Sequence, residues 1–581
     1  MLYTRQYYRE AAEALDEMIS SLTYSEDSKS IGRFSLCYTI FILSENIMLT
    51  ALRQQGVKPG ETRKIIMKVV DETLDQPRPH ILINTKSGHL CDKLKQKEAF
   101  RAYPEYKDLL LSPTSRVSAN DVWKEVVGQY FRYSTLSHTW EDGGEPEFRN
   151  VEKISVHSLT ESFPHTKLQT FCRKTHEHGY WWAWSDTCCI NKAEQEMLAA
   201  SLRSMYRWYS DSSLTIVHLK GVHLPLEVDL TTLLDILDEL LQEFVNCRWN
   251  KRAWTLQEYF ASRVIHFYTE DWKPYLPIRC PDTNPTNHKH LRAIQRGMEL
   301  VTKVDANHLA TLKPGYGEAR QKLSLASTRD AYKKEDIAYS LLGIFKVTIE
   351  AIYGDDEVPR ALGRLLEALL TKSGNVSILA WTGKPSEYNS CLPAEITVYQ
   401  VSESLHIPKP IDEATLAPSV SAMHSSMSSA DIESAVRLHD RLLDVQPPGL
   451  QHGRLTLPCI SFPLDSIAPG PVPGTYTATV PMLGKVEIET AEDLPAARNM
   501  RLVHPWFRRL LDPDIPQSGP ARRDSALKLL ASLRQPFGAL LLARISHEYE
   551  RIAANQLITV QIHEEVSAGQ LMENIHVLYI R

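Results

Sequence analysis

Hydrophobic positions follow two different spacings in the central part of the chain. Short β-type runs typical of buried strands occur at 133–137, 181–185, 214–219 and 264–268. Apolar residues at helical spacing lie between and beside these runs, at 167–177, 194–209, 233–245 and 254–260. Strands that alternate with helices in this way form parallel βαβ units. The pattern therefore predicts an open parallel α/β sheet.

The flanking parts of the chain have other patterns. Helical spacing recurs on the N-terminal side at 5–22, 32–54 and 60–75, and beyond the centre at 321–370. The stretch 77–120 has no clear period and is expected to be irregular. We therefore predict a helical N-terminal region over 1–120.

Beyond residue 373 the pattern changes again. Short β-like runs are found at 377–381, 476–480 and 485–489. Helical patches lie at 496–511 and 522–535, and the serine-rich segment 419–431 is typical of a mobile loop. These features predict a β-rich C-terminal domain over 373–581. The central domain then spans 121–372, with its α/β core at 130–275 followed by a helical extension.

Composition narrows the class of protein. Hydrophobic residues make up 43% and charged residues 23% of 581 residues, which is typical of a soluble globular protein. The net charge of -6 argues against a nucleic-acid partner or binding to an anionic membrane. There is no apolar run long enough to span a bilayer, and early acidic residues argue against a signal peptide. We expect a cytoplasmic protein.

Cysteines and common catalytic motifs exclude several kinds of site. The nine cysteines include no CxxC pair, so neither a disulfide framework nor a zinc ribbon is expected, and the adjacent Cys188 and Cys189 are expected to be buried thiols. The chain contains no P-loop motif, HExxH or GxSxG, and GYG at 315–317 lacks the third glycine of a dinucleotide fingerprint. The sequence therefore predicts no metal site.

Polar and aromatic residues stand where the predicted parallel strands end. Ligands of open α/β sheets bind at the carboxyl ends of the strands. Reading those ends, and the helix that follows the third strand, gives His138, Thr139, Trp140, Asp186, Thr187, Lys220, Trp254 and Glu258. Their convergence predicts a cleft for a flat, polar ligand.

Several motifs along this part of the chain resemble the fungal heterokaryon-incompatibility (HET) domain. They are LSHTW (136–140), WAWSDTCCINK (182–192), SMYRWYSDS (204–212), RAWTLQE (252–258), KEDIAYSLLGIFKVTIEAIYGDD (334–356) and the lead-in HILINTKSGHL (80–90). The resemblance covers about 80–370, with the motifs in the family's order. Two departures stand out: Glu141 replaces the family's usual glycine, and the acidic helix 233–245 resembles an insertion.

HET domains are in turn similar to TIR domains, which have a flavodoxin-like fold, and this resemblance implies site residues. Trp254 and Glu258 match the WxxxE motif of NAD-cleaving TIR domains, whose glutamate is catalytic. Residues four apart share one helix face, and a carboxylate there can stabilise the cationic sugar formed as nicotinamide leaves. Trp254 and Trp140 would then frame the base. Residues Ser137, His138, Thr139 and Asp186 would line the diphosphate-ribose channel.

Each assignment has a structural alternative. Trp of a WxxxE motif is often buried while its Glu is solvated, and Asp186 can serve as a helix cap. Arg252 is placed to meet a phosphate or to pair with the acidic helix 233–245. Arg329 and Asp336 are expected to form a structural ion pair.

The resemblance implies a role in fungal self/non-self recognition or cell-death signalling. It implies cleavage of NAD+ as substrate, with no further cofactor, together with self-association and a recognition partner protein. Two other function classes stay open: a non-enzymatic homotypic interaction module, and an enzyme with a different N-glycosidic substrate.

Overall fold

The described residues of this computed structural model form two compact units. They are 59–111, 116–141, 144–160, 162–223, 233–275, 287–354, 358–400, 413–506 and 519–581. The helices predicted at 5–22 and 32–54 lie outside these residues. The first unit includes Glu141–Lys192 and the described residues up to Leu136, and the second includes Ser137–Trp140, Ala193–Ser210 and the described residues from Thr215 onward.

The first unit combines short buried strands with helices. Its strands are β1 (Leu82–Asn84), β2 (Leu90–Cys91), most of β3 (Tyr133–His138) and β4 (Trp182–Trp184). Its helices are α1 (Pro59–Leu74), α2 (Lys93–Arg101), α3 (Pro104–Leu111), α4 (Arg116–Tyr130), α5 (Phe148–Val151) and α6 (Phe163–Glu177). The helix predicted at 60–75 and the strands predicted at 133–137 and 181–185 are confirmed. The parallel pairing of β3 with β4, which sets Tyr133 opposite Trp182, is confirmed as well.

The prediction that residues 77–120 are irregular is wrong. Strands β1 and β2 pair antiparallel around a tight turn, in which Gly88 has a φ of +73° and donates its N–H to the Asn84 carbonyl at 2.7 Å. Strand β1 also pairs antiparallel with β4. Strand β1 has only three residues, Leu-Ile-Asn, so the run is too short to stand out as a strand in the sequence.

The second unit begins with elements that match the predicted pattern closely. They are α7 (Gln195–Asp211), β5 (Leu214–His218), α8 (Leu233–Asn246), the single turn α9 (Arg248–Lys251), α10 (Ala253–Ala261) and β6 (Ile265–Tyr268). Strands β5 and β6 pair in parallel, with Thr215 opposite Ile265. The predicted helical extension follows as α11 (Arg292–Thr302), α12 (Ala306–Thr311), α13 (Ala319–Ala326), α14 (Asp336–Tyr339), α15 (Leu342–Phe345) and α16 (Val358–Ser373).

The C-terminal part of the second unit is rich in strands, as predicted. Its strands are β7 (Gly449–Gln451), β8 (Arg454–Pro463), β9 (Ser466–Pro469), β10 (Thr475–Val480), β11 (Gly484–Glu489), β12 (Met500–Pro505), β13 (Phe537–Ile545), β14 (Glu548–Ile552), β15 (Ile558–Val560) and β16 (Ile575–Ile580). One sheet has the order β12-β13-β14-β16-β8-β7 with β15 against β13, and another has the order β11-β10-β9. Helices α17 (Glu413–Ser426), α18 (Ser429–Leu443), α19 (Pro520–Leu533) and α20 (Ala568–Glu573) accompany them.

Three local predictions in this part are wrong. The segment 419–431 lies on α17 and α18 and is not a loop. The helix was not predicted because the many serines conceal the helical spacing of the buried Leu416, Val420 and Met423. The run 377–381 was predicted as a strand but includes a 3₁₀ turn. Its residues are apolar because the turn is buried. The patch 496–511 contains strand β12, whose nearly continuous burial also removes the alternation.

Two hydrophobic clusters hold the second unit together. One joins β5, β6 and α10 to α14–α16 and to residues of β7, β8 and β13. The other packs α17–α19 against β8–β13. Among the described residues, no helix combines the length and the apolar character needed to span a membrane.

A histidine within this core predicts sensitivity to acid. His504 on β12 is buried against Phe537, and burial lowers its pKa to about 3. The unfolded chain takes up this proton below about pH 6.5, so the folded state loses stability as the pH falls from 6.5 towards 3. At pH 5 the loss amounts to about 2 kcal/mol.

The His504→Leu variant should therefore lose about 2 kcal/mol less than the parent between pH 7 and pH 5, as measured by urea unfolding. His547 is exposed, and His547→Leu serves as the control that keeps the parent's acid sensitivity. Equal acid sensitivity in the His504 variant would contradict the prediction.

Candidate functional site

A chain of hydrogen bonds joins three buried side chains in the second unit. The Ser137 hydroxyl, at the end of β3, donates to Oε2 of Glu258 on α10 at 2.5 Å. The indole Nε1 of Trp249 donates to the same Ser137 oxygen at 2.8 Å. Because the indole can only donate, the serine accepts from Trp249 and gives its own proton to the carboxylate. Ser137 is fully buried and Glu258 retains 6% exposure.

The local sequence explains why Glu258 faces the protein interior. Thr255 donates its hydroxyl to the Trp249 and Arg252 carbonyls, at 2.6 and 2.9 Å, and so folds the turn α9 back onto the start of α10. Most side chains of α10 are buried, Leu256 completely. The alternative in which the WxxxE glutamate is solvated is therefore wrong.

The two tryptophans of this segment have different partners from those expected. Burial raises the pKa of the Asp336 carboxyl, and the neighbouring Trp254 indole opposes that shift. Trp254 also packs against the core cluster of the second unit. The indole that bonds to the serine is Trp249, which the four-residue spacing of the WxxxE motif does not include. The sequence indicates it only by its place among polar residues in RWNKRAW.

Arg252 contacts the LSHTW segment. Its Nη1 donates to the His138 carbonyl at 3.2 Å, and its guanidinium lies 5.3 Å from the centre of the Trp140 ring. Trp140 is 37% exposed, whereas His138 and Thr139 are buried. The cation therefore ties the end of β3 to the start of α10, beside an accessible aromatic ring.

The expected ion pair between Arg329 and Asp336 is wrong. Arg329 Nη1 donates to the Arg252 carbonyl and to the Thr255 hydroxyl, each at 2.9 Å. Asp336 instead accepts from the Tyr353 hydroxyl at 2.9 Å.

The remaining predicted residue, Asp186, belongs to the first unit and is half-buried. A buried cation lies near it: Lys167 Nζ is 2.5 Å from Glu145 and 3.8 Å from Glu141. Burial lowers the pKa of Lys167, and the charges of Glu145, Glu141 and Asp186 oppose that shift. The glutamate at the family's glycine position is thus part of a charge cluster.

A cavity of about 450 Å³ opens in the second unit after β5. It is lined by Lys220, Gly221, Gln242, Glu243, Asn246, Cys247 and Arg248. Its last two lining residues, Cys247 and Arg248, immediately precede Trp249 along the chain. Its volume is within the range of small-molecule sites.

Metal-binding side chains do not cluster in the part of the chain that the structure describes. Cys188 and Cys189 are free and buried, as predicted. The contact with Cys189, followed by burial, raises the pKa of the Cys188 thiol, which makes it a poor nucleophile.

Comparison with known proteins gives a family match in the central part of the chain. Residues 133–231 match the model of the family described as Heterokaryon incompatibility protein (HET), so this segment is similar to a HET domain. The match begins at β3 and includes Ser137, His138, Thr139, Trp140 and Asp186. Arg252, Trp254 and Glu258 lie beyond it.

The chain is also similar to a particular fungal protein, the vegetative incompatibility protein HET-E-1 of Podospora anserina. The two are 27% identical over 252 residues, which are 43% of this chain and 17% of HET-E-1. The chain thus spans about a sixth of the length of this curated relative. No solved structure matches the chain.

Proposed function

We propose that this protein acts in heterokaryon incompatibility and that its HET domain, with a TIR-like core, cleaves the nicotinamide–ribose bond of NAD+. The observation that carries the proposal is the buried Glu258 carboxylate, held by the Ser137 hydroxyl at the end of a parallel strand. The name of the relative HET-E-1 and the HET family match support the biological role.

Glu258 would stabilise a positive charge and would not transfer a proton. As the bond between C1′ and the nicotinamide nitrogen breaks, its electron pair leaves with nicotinamide, and positive charge develops on the ribose. A carboxylate in a poorly solvated site stabilises that charge strongly. Water then forms the new bond to C1′ and releases its proton to solvent, which gives ADP-ribose.

The neighbouring side chains would hold the substrate. Trp140 offers an accessible ring for the base, and Arg252 beside it offers a cation for a phosphate. Thr139 would line the substrate channel. Trp249 takes the place beside the reacting group that the sequence assigned to Trp254, because its indole orients Ser137.

The competing class is an interaction module without chemistry, in which the domain serves for assembly. The low exposure of Glu258, 6%, is the observation that favours it, since a substrate needs access to the carboxylate. A nucleotide enzyme with another N-glycosidic substrate is the third class.

The test is release of nicotinamide from NAD+ by the purified full chain at micromolar concentrations, over a dilution series. We expect turnover that rises more than linearly with protein concentration, because self-association would complete the site. Strict proportionality would remove self-association from the proposal. If NAD+ is untouched at every concentration but other nucleosides are cleaved, the substrate is wrong. If none is cleaved, the interaction module replaces the enzyme.

A further inference from the structure

A buried arginine outside the predicted site packs against the helix that carries Glu258. Arg329 is 4% exposed, and its Nη1 is bonded to the Arg252 carbonyl and the Thr255 hydroxyl at the start of α10. Its Nε and Nη2 have no hydrogen-bond partner among the residues that the structure describes. A guanidinium fully removed from water without a bonded carboxylate is costly, so its retention calls for a function.

The backbone beside Arg329 fixes the same end of the helix. Asp330 donates its N–H to the Lys251 carbonyl at 2.6 Å, and its carbonyl accepts from the Ala253 N–H at 2.9 Å. This parallel bridge joins Arg252 with Asp330. The segment 329–330 therefore sets the position of the first turn of α10, five to six residues before Glu258.

The charge of Arg329 also reaches the site. Burial lowers the pKa of Arg329 to about 10, while the charges of Cys247 and Glu258 favour its protonated form. The arginine is thus cationic at neutral pH, within electrostatic range of Glu258.

Other charged groups on the elements packed against α10 have separate partners. Asp336 on α14 bonds to Tyr353, and Lys322 on α13 donates to the Lys313 and Gly315 carbonyls. Lys289 donates to the Tyr259 and Ser262 carbonyls at the opposite end of α10.

We infer that Arg329 is a positioning residue for Glu258: it fixes the first turn of α10 and supplies the positive charge that keeps the buried carboxylate ionised. The effect of Arg329 on catalysis rests on the proposed function. The contacts that join Arg329 and Asp330 to the start of α10 exist whether or not the protein turns over NAD+.

The experiment compares Arg329→Gln, Arg329→Lys and Asp330→Asn in the full chain. Infrared difference spectra against Glu258→Gln report whether Glu258 is protonated, without any need for turnover. At neutral pH the protonated-carboxyl band should appear in Arg329→Gln and stay absent in Arg329→Lys. Asp330→Asn is the matched control, because the Asp330 side chain is exposed, pairs with Lys334, and takes no part in the backbone bridge.

Nicotinamide release should fall about 100-fold in Arg329→Gln and recover in part in Arg329→Lys. Circular dichroism confirms that each variant is folded. If the infrared band is the same in Arg329→Gln and in the parent, the inference is overturned even when NAD+ is cleaved. If the parent does not cleave NAD+ but the protonated-carboxyl band appears in Arg329→Gln, the proposed function fails while the role of Arg329 towards Glu258 stands.

Discussion

Replacing Glu258 by glutamine should reduce nicotinamide release from NAD+ by about 1,000-fold. The amide is nearly the same size as the carboxyl group, and its oxygen can still accept the hydrogen bond from Ser137. What it lacks is the negative charge that, in the proposed mechanism, stabilises the ribose as nicotinamide leaves. Loss of one such preorganised electrostatic contact in a buried site costs about 100- to 1,000-fold in rate.

The measurement is nicotinamide release by parent and variant at equal protein concentration, with unfolding monitored beside it. Glu487→Gln makes the same chemical change at an exposed position on β11 and should keep full activity. Undiminished turnover in a folded Glu258→Gln protein would move the chemistry to another group. A reduced rate in both variants would indicate a general effect of charge.

The Gly343→Ala substitution should destabilise the second unit by about 3 kcal/mol. Gly343 lies on α15 within the motif that follows Asp336, and a Cβ built there would be 2.1 Å from the Tyr206 Cβ and 2.6 Å from its Cγ. A Cβ atom is fixed to the backbone and cannot rotate away, so either α7 or α15 must shift. Overpacking of this kind strains a densely packed core.

Urea unfolding of the variant tests this expectation. Gly449→Ala is the control in the same unit, since a Cβ at Gly449 would meet no atom within 4 Å. We expect its unfolding free energy to stay within about 0.5 kcal/mol of the parent. If Gly343→Ala has the same unfolding free energy as Gly449→Ala, the close packing of Tyr206 on Gly343 does not contribute to stability as expected.

The central elements were predictable because each has a strong local signal. Strands β3 to β6 are short runs rich in aromatic and β-branched residues, and the helices between them have one apolar face, so the two kinds of element can be told apart in the sequence. Strand β1 and segment 419–431 have no such signal. Strand β1 is only three residues long, and in segment 419–431 the apolar residues are spaced among serines.

The site was predictable only in part, for a related reason. Glu258 and Ser137 were found because the motifs that contain them resemble known families. The hydrogen bond between them joins residues 121 positions apart, which no local period encodes. The roles proposed for Trp249 and Arg329 likewise depend on contacts between residues far apart in the sequence, and the ion pair predicted between Arg329 and Asp336 is not the one that forms.

The cluster around Lys167 constrains the order in which substitutions can accumulate in this lineage. Oε1 of Glu145 accepts from both Lys167 and the backbone N–H of residue 141, a contact that needs no side chain at 141. Position 141 can exchange between glutamate and glycine while Glu145 remains. Glu141 lies 3.8 Å from Lys167, so a glutamate there still offers the buried cation a counter-charge when Glu145 is lost, whereas a glycine does not. In an alignment of relatives, we therefore expect position 145 to stay acidic wherever position 141 is glycine and position 167 is lysine.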